Sequence, residues 1–457
     1  TSAMSSVSFK GEFAYMSPDP NTKKSTISSD QGKSIAYIDD FEGSRSSIDI
    51  KNYGMWFLAS VPPSQQKEAR DNGSGLAYNY NRAKLAWYTI DNSVFYRNKE
   101  ETPSHIKKDL NQLSDHRVRE VLETEVFPNK ESPNGQPVTL SVLNLAYYPK
   151  ERGPYNYTVE PDNYSRGIDE NGFLKEPKER WAGIMRKIDE TDFESRNIET
   201  IEFWLMDPFV SGNSVTGGDL YIDLGDISED ILRDGKKYSE NGMPISEDLT
   251  NVDTTIWGRV PLIDPLIKTF DNNSSSRKYQ DIGLDGLNTE EERNFYASYL
   301  EKIKNIYGEG SLAYNKAIQD PSADNYHFYR GSDYDNAQVS ILDRYKNFNN
   351  TEGNSPTRDQ SPESYSTAAT NQPDVEDINQ DNTLSESENY FEYRVSIRSK
   401  DMMEIGKNHI SDIAVQNVTL RNGTKTTVKW YQFKIPISEY ESKYGKIQDF
   451  KSIKFII

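Results

Sequence analysis

Three stretches of this chain alternate apolar and polar residues with a period of two. Ile201, Phe203 and Leu205 flank Glu202 and Trp204; Leu220, Ile222 and Leu224 flank Tyr221 and Asp223; Phe391, Tyr393, Val395 and Ile397 flank Glu392, Arg394 and Ser396. Successive side chains of a strand point to opposite faces, so each stretch has one face to bury. A helix would scatter the same residues around its circumference. The pattern therefore predicts antiparallel sheets with one face each against a core.

Composition agrees. Only 34% of the 457 residues are hydrophobic, and 29 Tyr, 18 Phe and 6 Trp make up part of the deficit. Flat rings suit pleated surfaces more than a leucine-rich helical core. Further strands are expected at 9–16, Ser34–Gly43, Tyr53–Ser60, Lys84–Ile90, Val138–Tyr148 (ended by Pro149), Val428–Ile437 and Phe450–Ile457, with Asn422–Gly423 as a hairpin turn. Helical spacing appears over Ser104–Val126, where Ile106, Leu110, Leu113, Val118 and Val121 suggest two short helices across Asp115. It appears again over Thr289–Tyr307, with Phe295, Tyr299, Ile303 and Tyr307 on one face. Asp226–Arg233 reads as a turn into a short helix capped by Ser228.

Between 234 and 375 the apolar density falls and turn signals accumulate, with disorder plausible over 350–373. The expected fold is mainly β: a jelly-roll or galactose-binding-like antiparallel sandwich with helical and loop-rich insertions. Its parts are a sandwich portion over 1–233, an insertion over 234–375 and returning strands over 376–457.

The formal charge of −19, from 72 acidic and 53 basic residues, argues against nucleic acid and anionic lipid as partners. It suits solubility or cation binding. Cysteine is absent, so there is neither a disulfide framework nor a thiolate metal site. The opening T-S-A-M lacks the pattern of a signal peptide, and no run reaches the roughly 18–20 apolar residues of a membrane helix. The abrupt, apolar end at Ile457 suggests that the natural chain continues. His105, His116, His327 and His409 have no zinc-ligand spacing, and H-E-x-x-H, G-x-S-x-G and P-loop motifs are missing. The expectation is a protein without catalytic activity.

The segment from Asp377 to Glu388, D-I-N-Q-D-N-T-L-S-E-S-E, has the spacing of an EF-hand-type calcium loop. Asp377, Asn379 and Asp381 fill the first, third and fifth places, Thr383 the seventh, Ser385 the ninth and Glu388 the twelfth. A hard cation needs six to eight oxygens, which a tight turn and one distant carboxylate can supply. Asn382 stands where glycine is usual, and Asn tolerates a left-handed backbone. The competing reading is an acidic Asx-rich turn without metal. No flanking helices are evident, so a structural calcium clamp is expected instead of a sensor.

A second segment, Asp281–Glu292, places Asp281, Asp285, Gly286 and Glu292 at positions one, five, six and twelve, but Gly283 leaves the third without a side chain. A turn that caps the following helix through Thr289 and Glu292 explains it equally well. Acids, rings and His327 also cluster between Asp320 and Asp335, as a surface loop with packed rings or as a sugar site.

Several phrases together resemble the SprA/Sov family: Y-I-D-D-F-E-G-S (37–44), R-A-K-L-A-W-Y-T-I-D (82–91), Y-Y-P-K-E-R-G-P-Y-N-Y (147–157), I-E-F-W-L-M-D-P-F (201–209), L-Y-I-D-L-G-D-I-S-E-D-I-L (220–232), P-D-V-E-D-I-N-Q-D-N-T-L-S-E-S-E (373–388) and W-Y-Q-F-K-I-P-I (430–437). The resemblance covers an interior part of a much larger protein. It implies a soluble domain of the outer-membrane translocon of the Bacteroidetes type 9 secretion system, which exports folded cargo and serves gliding motility. Its implied partners are other secretion-system proteins and cargo, its parent a β-barrel, and its place the extracellular or periplasmic face of the outer membrane. The resemblance offers no catalytic residues, and its D-x-N-x-D-N loop falls on Asp377, Asn379, Asp381, Thr383 and Glu388. The alternative is a calcium-dependent carbohydrate-binding module of an adhesin, suggested by D-D-F-E-G, I-E-F-W and the aromatic content. A glycoside hydrolase is a third possibility, although no carboxylate pair is singled out.

Overall fold

The computed structural model describes residues 47–65, 75–97, 100–130, 135–210, 216–354, 356–357 and 371–457. The strands expected at 9–16 and 34–43, and the phrase at 37–44, lie outside the described residues. In chain order the strands are β1 (Phe57–Leu58), β2 (Ala83–Tyr88), β3 (Val121–Leu122), β4 (Thr139–Leu140), β5 (Asn144–Arg152), β6 (Ile184–Lys187), β7 (Thr200–Met206), β8 (Gly218–Asp226), β9 (Val252–Thr255) and β10 (Gly258–Pro261). They continue as β11 (Asn389–Ile397), β12 (Ile410–Thr419), β13 (Lys425–Pro436), β14 (Ser442–Tyr444) and β15 (Phe455–Ile456).

Two antiparallel sheets form the centre. One has the order β1-β6-β15-β8-β11-β14 and the other β12-β13-β7. The alternating stretches supply their facing surfaces: Ile222, Leu224, Phe391, Tyr393 and Val395 from the first meet Phe203, Tyr431, Phe433 and Ile435 from the second in one core. Phe203 and Phe433 are cross-strand partners and stack at 4.9 Å. The result is a mainly β sandwich.

Both outer faces are covered in part. Met185, Tyr390 and Phe455 on the far side of the larger sheet pack with Ile227 and Ile378. On the smaller sheet Trp430 packs with Val121 and Val126, and its indole N–H donates to Glu125 at 2.8 Å.

Several local expectations are corrected. Pro149 does not end its strand, because β5 runs to Arg152 and the proline falls within a register shift opposite Ala83 and Lys84, where a missing N–H costs little. Over 104–126 the helices are Ser104–Lys108 and Glu123–Val126, and Leu110 is exposed. The helix expected over Thr289–Tyr307 is two, Thr289–Phe295 and Ala297–Tyr307, broken at Tyr296. Asp226–Arg233 forms no helix, because the N–H groups of Ile231 and Leu232 both donate to Glu376. The last strand shrinks to Phe455–Ile456. Asn350, Thr351 and Asn354, within the stretch read as disordered, are buried.

Candidate metal centres

The loop that begins at Asp377 is an Asx-rich turn docked on the larger sheet. Asp377 Oδ1 accepts from the Asp381 N–H at 3.0 Å and Oδ2 from the Asn382 N–H at 3.1 Å, with Lys268 Nζ 3.4 Å from Oδ2. Asn379 Oδ1 accepts from the same Asp381 N–H at 2.8 Å, and Asp381 Oδ1 accepts from the Thr383 N–H at 2.8 Å. Gln380 and Asn382 have φ of 61° and 67°, which gives the chain its tight bend.

Glu388 lies elsewhere, beside the Arg233 guanidinium and the Ser228 backbone, where burial pushes its carboxyl up to about 8. Asp377, Asp381 and Glu388 do not gather their carboxylate oxygens within 4.8 Å of one another.

What fastens this loop is a set of acids that its spacing does not include. Glu229 accepts from the N–H groups of Ile378 at 2.8 Å, Asn379 at 3.1 Å and Ser385 at 3.3 Å. Glu376 accepts from Ile231 at 2.8 Å, Leu232 at 3.2 Å and Tyr238 at 2.9 Å. Glu240 accepts from Gly283 at 3.0 Å and Asp374 at 2.6 Å. All three are buried, and burial raises the pKa of each against the downward pull of its backbone donors. In a region with little regular structure, these carboxylates accept the N–H groups that a helix or ladder would otherwise satisfy.

The second segment closes a different centre. Asn288, not Thr289, is the N-cap of Thr289–Phe295, and Glu291, not Glu292, completes the capping box. That one-residue shift turns Glu292 inward, where Oε2 accepts from the Ser322 N–H at 3.2 Å. Asp285 Oδ1 accepts from the Leu287 N–H at 3.0 Å and Oδ2 from Ser322 Oγ at 2.7 Å.

The third member is Asp324, which the spacing did not reveal. Its Oδ2 accepts from Tyr155 Oη at 3.1 Å and Thr351 Oγ1 at 3.3 Å. Ligand oxygens of Asp285, Glu292 and Asp324 all lie within 4.8 Å of one another, and all three residues are fully buried. Burial first, and then the other carboxylates, raise the pKa of each. Asp281 is half-buried at the edge of this region and is not one of the three. Asp324 comes from the acid- and ring-rich segment noted between Asp320 and Asp335, where His327 stacks on Tyr334 at 3.8 Å.

Residues 298–457 match the family model SprA_N, described as a motility related/secretion protein. Over those residues the chain is similar to that family. No curated protein matches it. The SprA_N match begins in the helix Ala297–Tyr307 and contains β11–β15, whereas their sheet partners β6, β7 and β8 precede it. Asp324 lies inside the match, and Asp285 and Glu292 lie just before it.

Proposed function

We propose that this chain is a non-catalytic domain of the outer-membrane translocon of the type 9 secretion system, serving protein export and gliding motility. The observation that carries this is the match of residues 298–457 to a motility and secretion family. Its facing antiparallel sheets support a jelly-roll-like sandwich as the finer description. In this proposal a β-barrel elsewhere in the parent chain holds the domain at the outer membrane, and its partners are other secretion components and exported cargo.

Calcium at the Asp377–Glu388 loop belongs to the same proposal. The Asn382 bend and the meeting of the Asp377 and Asn379 side-chain oxygens at the Asp381 N–H support it. Binding requires Lys268 to leave Asp377 and Glu388 to swing away from Arg233, so affinity at this loop is expected to be low.

The functional test is cross-linked affinity purification of the parent protein from its bacterium, with a glycan array run in parallel. Recovery of secretion components and cargo, with no glycan bound, is the expected outcome. Glycan binding that is lost on changing exposed Tyr221 or Tyr440 to Ala would replace the translocon by an adhesin module. Hydrolysis of a polysaccharide would contradict the absence of catalysis.

A further inference from the structure

We propose that Asp285, Glu292 and Asp324 form a buried site for a hard divalent cation of the calcium class, in which Asp324 supplies the ligand that Gly283 lacks. Gly283 occupies the third place of the Asp281–Glu292 segment, where a calcium loop carries an oxygen side chain. A Cβ built on Gly283 would lie 2.4 Å from Asp324 Oδ2. The carboxylate of Asp324 thus fills the space of the missing third-position side chain, reaching it from a loop about forty residues further on.

Two buried oxygens point to a ligand. Asp324 Oδ1 and Glu292 Oε1 have no hydrogen-bond partner, although the second oxygen of each is held by neutral donors. Each carboxylate is therefore oriented by one oxygen and left with the other free. Among the groups that act on the three, the strongest charges are carboxylates: Asp324 on Asp285, Asp285 on Glu292 and Glu292 on Asp324. Three buried carboxylates that act chiefly on one another, with Lys84 a weaker cationic influence on Asp324, are costly unless they are protonated or ligate a cation. Oxygen-only donors favour a hard ion over zinc or copper. Such an ion would tie the SprA_N-matched segment, through Asp324, to the segment before it, through Asp285 and Glu292. The inference does not depend on the translocon proposal.

The experiment uses the whole 457-residue chain, stripped with chelator and melted at pH 8 with and without calcium chloride. Wild type should gain about 3 °C in Tm at a hundredfold excess of calcium over Kd. Asp324→Asn keeps the side-chain shape and removes one like charge. It should melt in chelator at or above the temperature of stripped wild type, which shows that it folds, and should no longer respond to calcium. The double variant Asp377→Asn, Glu388→Gln should keep the response, which separates this centre from the Asp377 loop. An unchanged Tm in wild type, a full response in Asp324→Asn, or a response lost only in the Asp377 and Glu388 variant would each overturn the assignment.

Discussion

Among single residues, the most exacting placement is Asp223 opposite Glu392. They are register partners in β8 and β11, both are buried, and both lie on the face opposite the alternating core residues. Burial and then Glu392 raise the Asp223 carboxyl well above its ordinary range, and burial raises Glu392 too. Asp230 is pushed up by burial to about 6. A carboxyl whose pKa is higher folded than unfolded binds more protons in the folded state between the two values. Its contribution to stability is therefore present at low pH and lost as pH rises through that window. Carboxyls held low by partners, such as Asp219 beside Arg398, work in the opposite sense but only near and below pH 4. In the presence of chelator, Tm should consequently rise by about 3 °C as pH falls from 8 to 5.5, and Asp223→Asn should remove part of that rise. A Tm that falls over this range contradicts the burial of these acids.

At the level of elements, the family match does not coincide with a folding unit. Within residues 298–457, β11 lacks its partner β8, β13 lacks β7, and β15 lacks both β6 and β8. Expressed alone, this segment should show no cooperative melt and a poorly dispersed NMR spectrum, because a sheet without its central neighbours exposes both the core face and the strand edges. A cooperative, well-dispersed fragment would contradict the interleaved topology.

The same interleaving explains what the sequence revealed and what it hid. Strands β7, β8 and β11 were legible because a half-buried sheet writes a period of two into its own residues. The supposed helix at Asp226–Arg233 was misread because the acceptor for Ile231, Glu376, lies 145 positions away. Asp285 and Glu292 were visible as loop positions, but Asp324 was not, since no local spacing links it to Gly283. The displacement of the cap from Thr289 to Asn288 is a one-residue change, and it decides that Glu292 faces the interior.

Across the whole molecule, a chain of formal charge −19 places many of its acids inside. Among the described residues the segment between β10 and β11 has no long strands, and Glu229, Glu240 and Glu376 join it to the residues after β8 by accepting backbone N–H groups. Buried carboxylates replace regular secondary structure as the fastening of this region. Removing the Glu376 acceptor strands three donors, and Glu376→Ala should cost roughly 3–5 kcal/mol. Amide hydrogen exchange tests the claim most directly. The N–H groups of Ile231, Leu232 and Tyr238 should exchange as slowly as the amides of β8 in wild type, and should lose protection first in Glu376→Ala. Exchange of these three amides in wild type at the rate of the exposed 420–424 turn would contradict it.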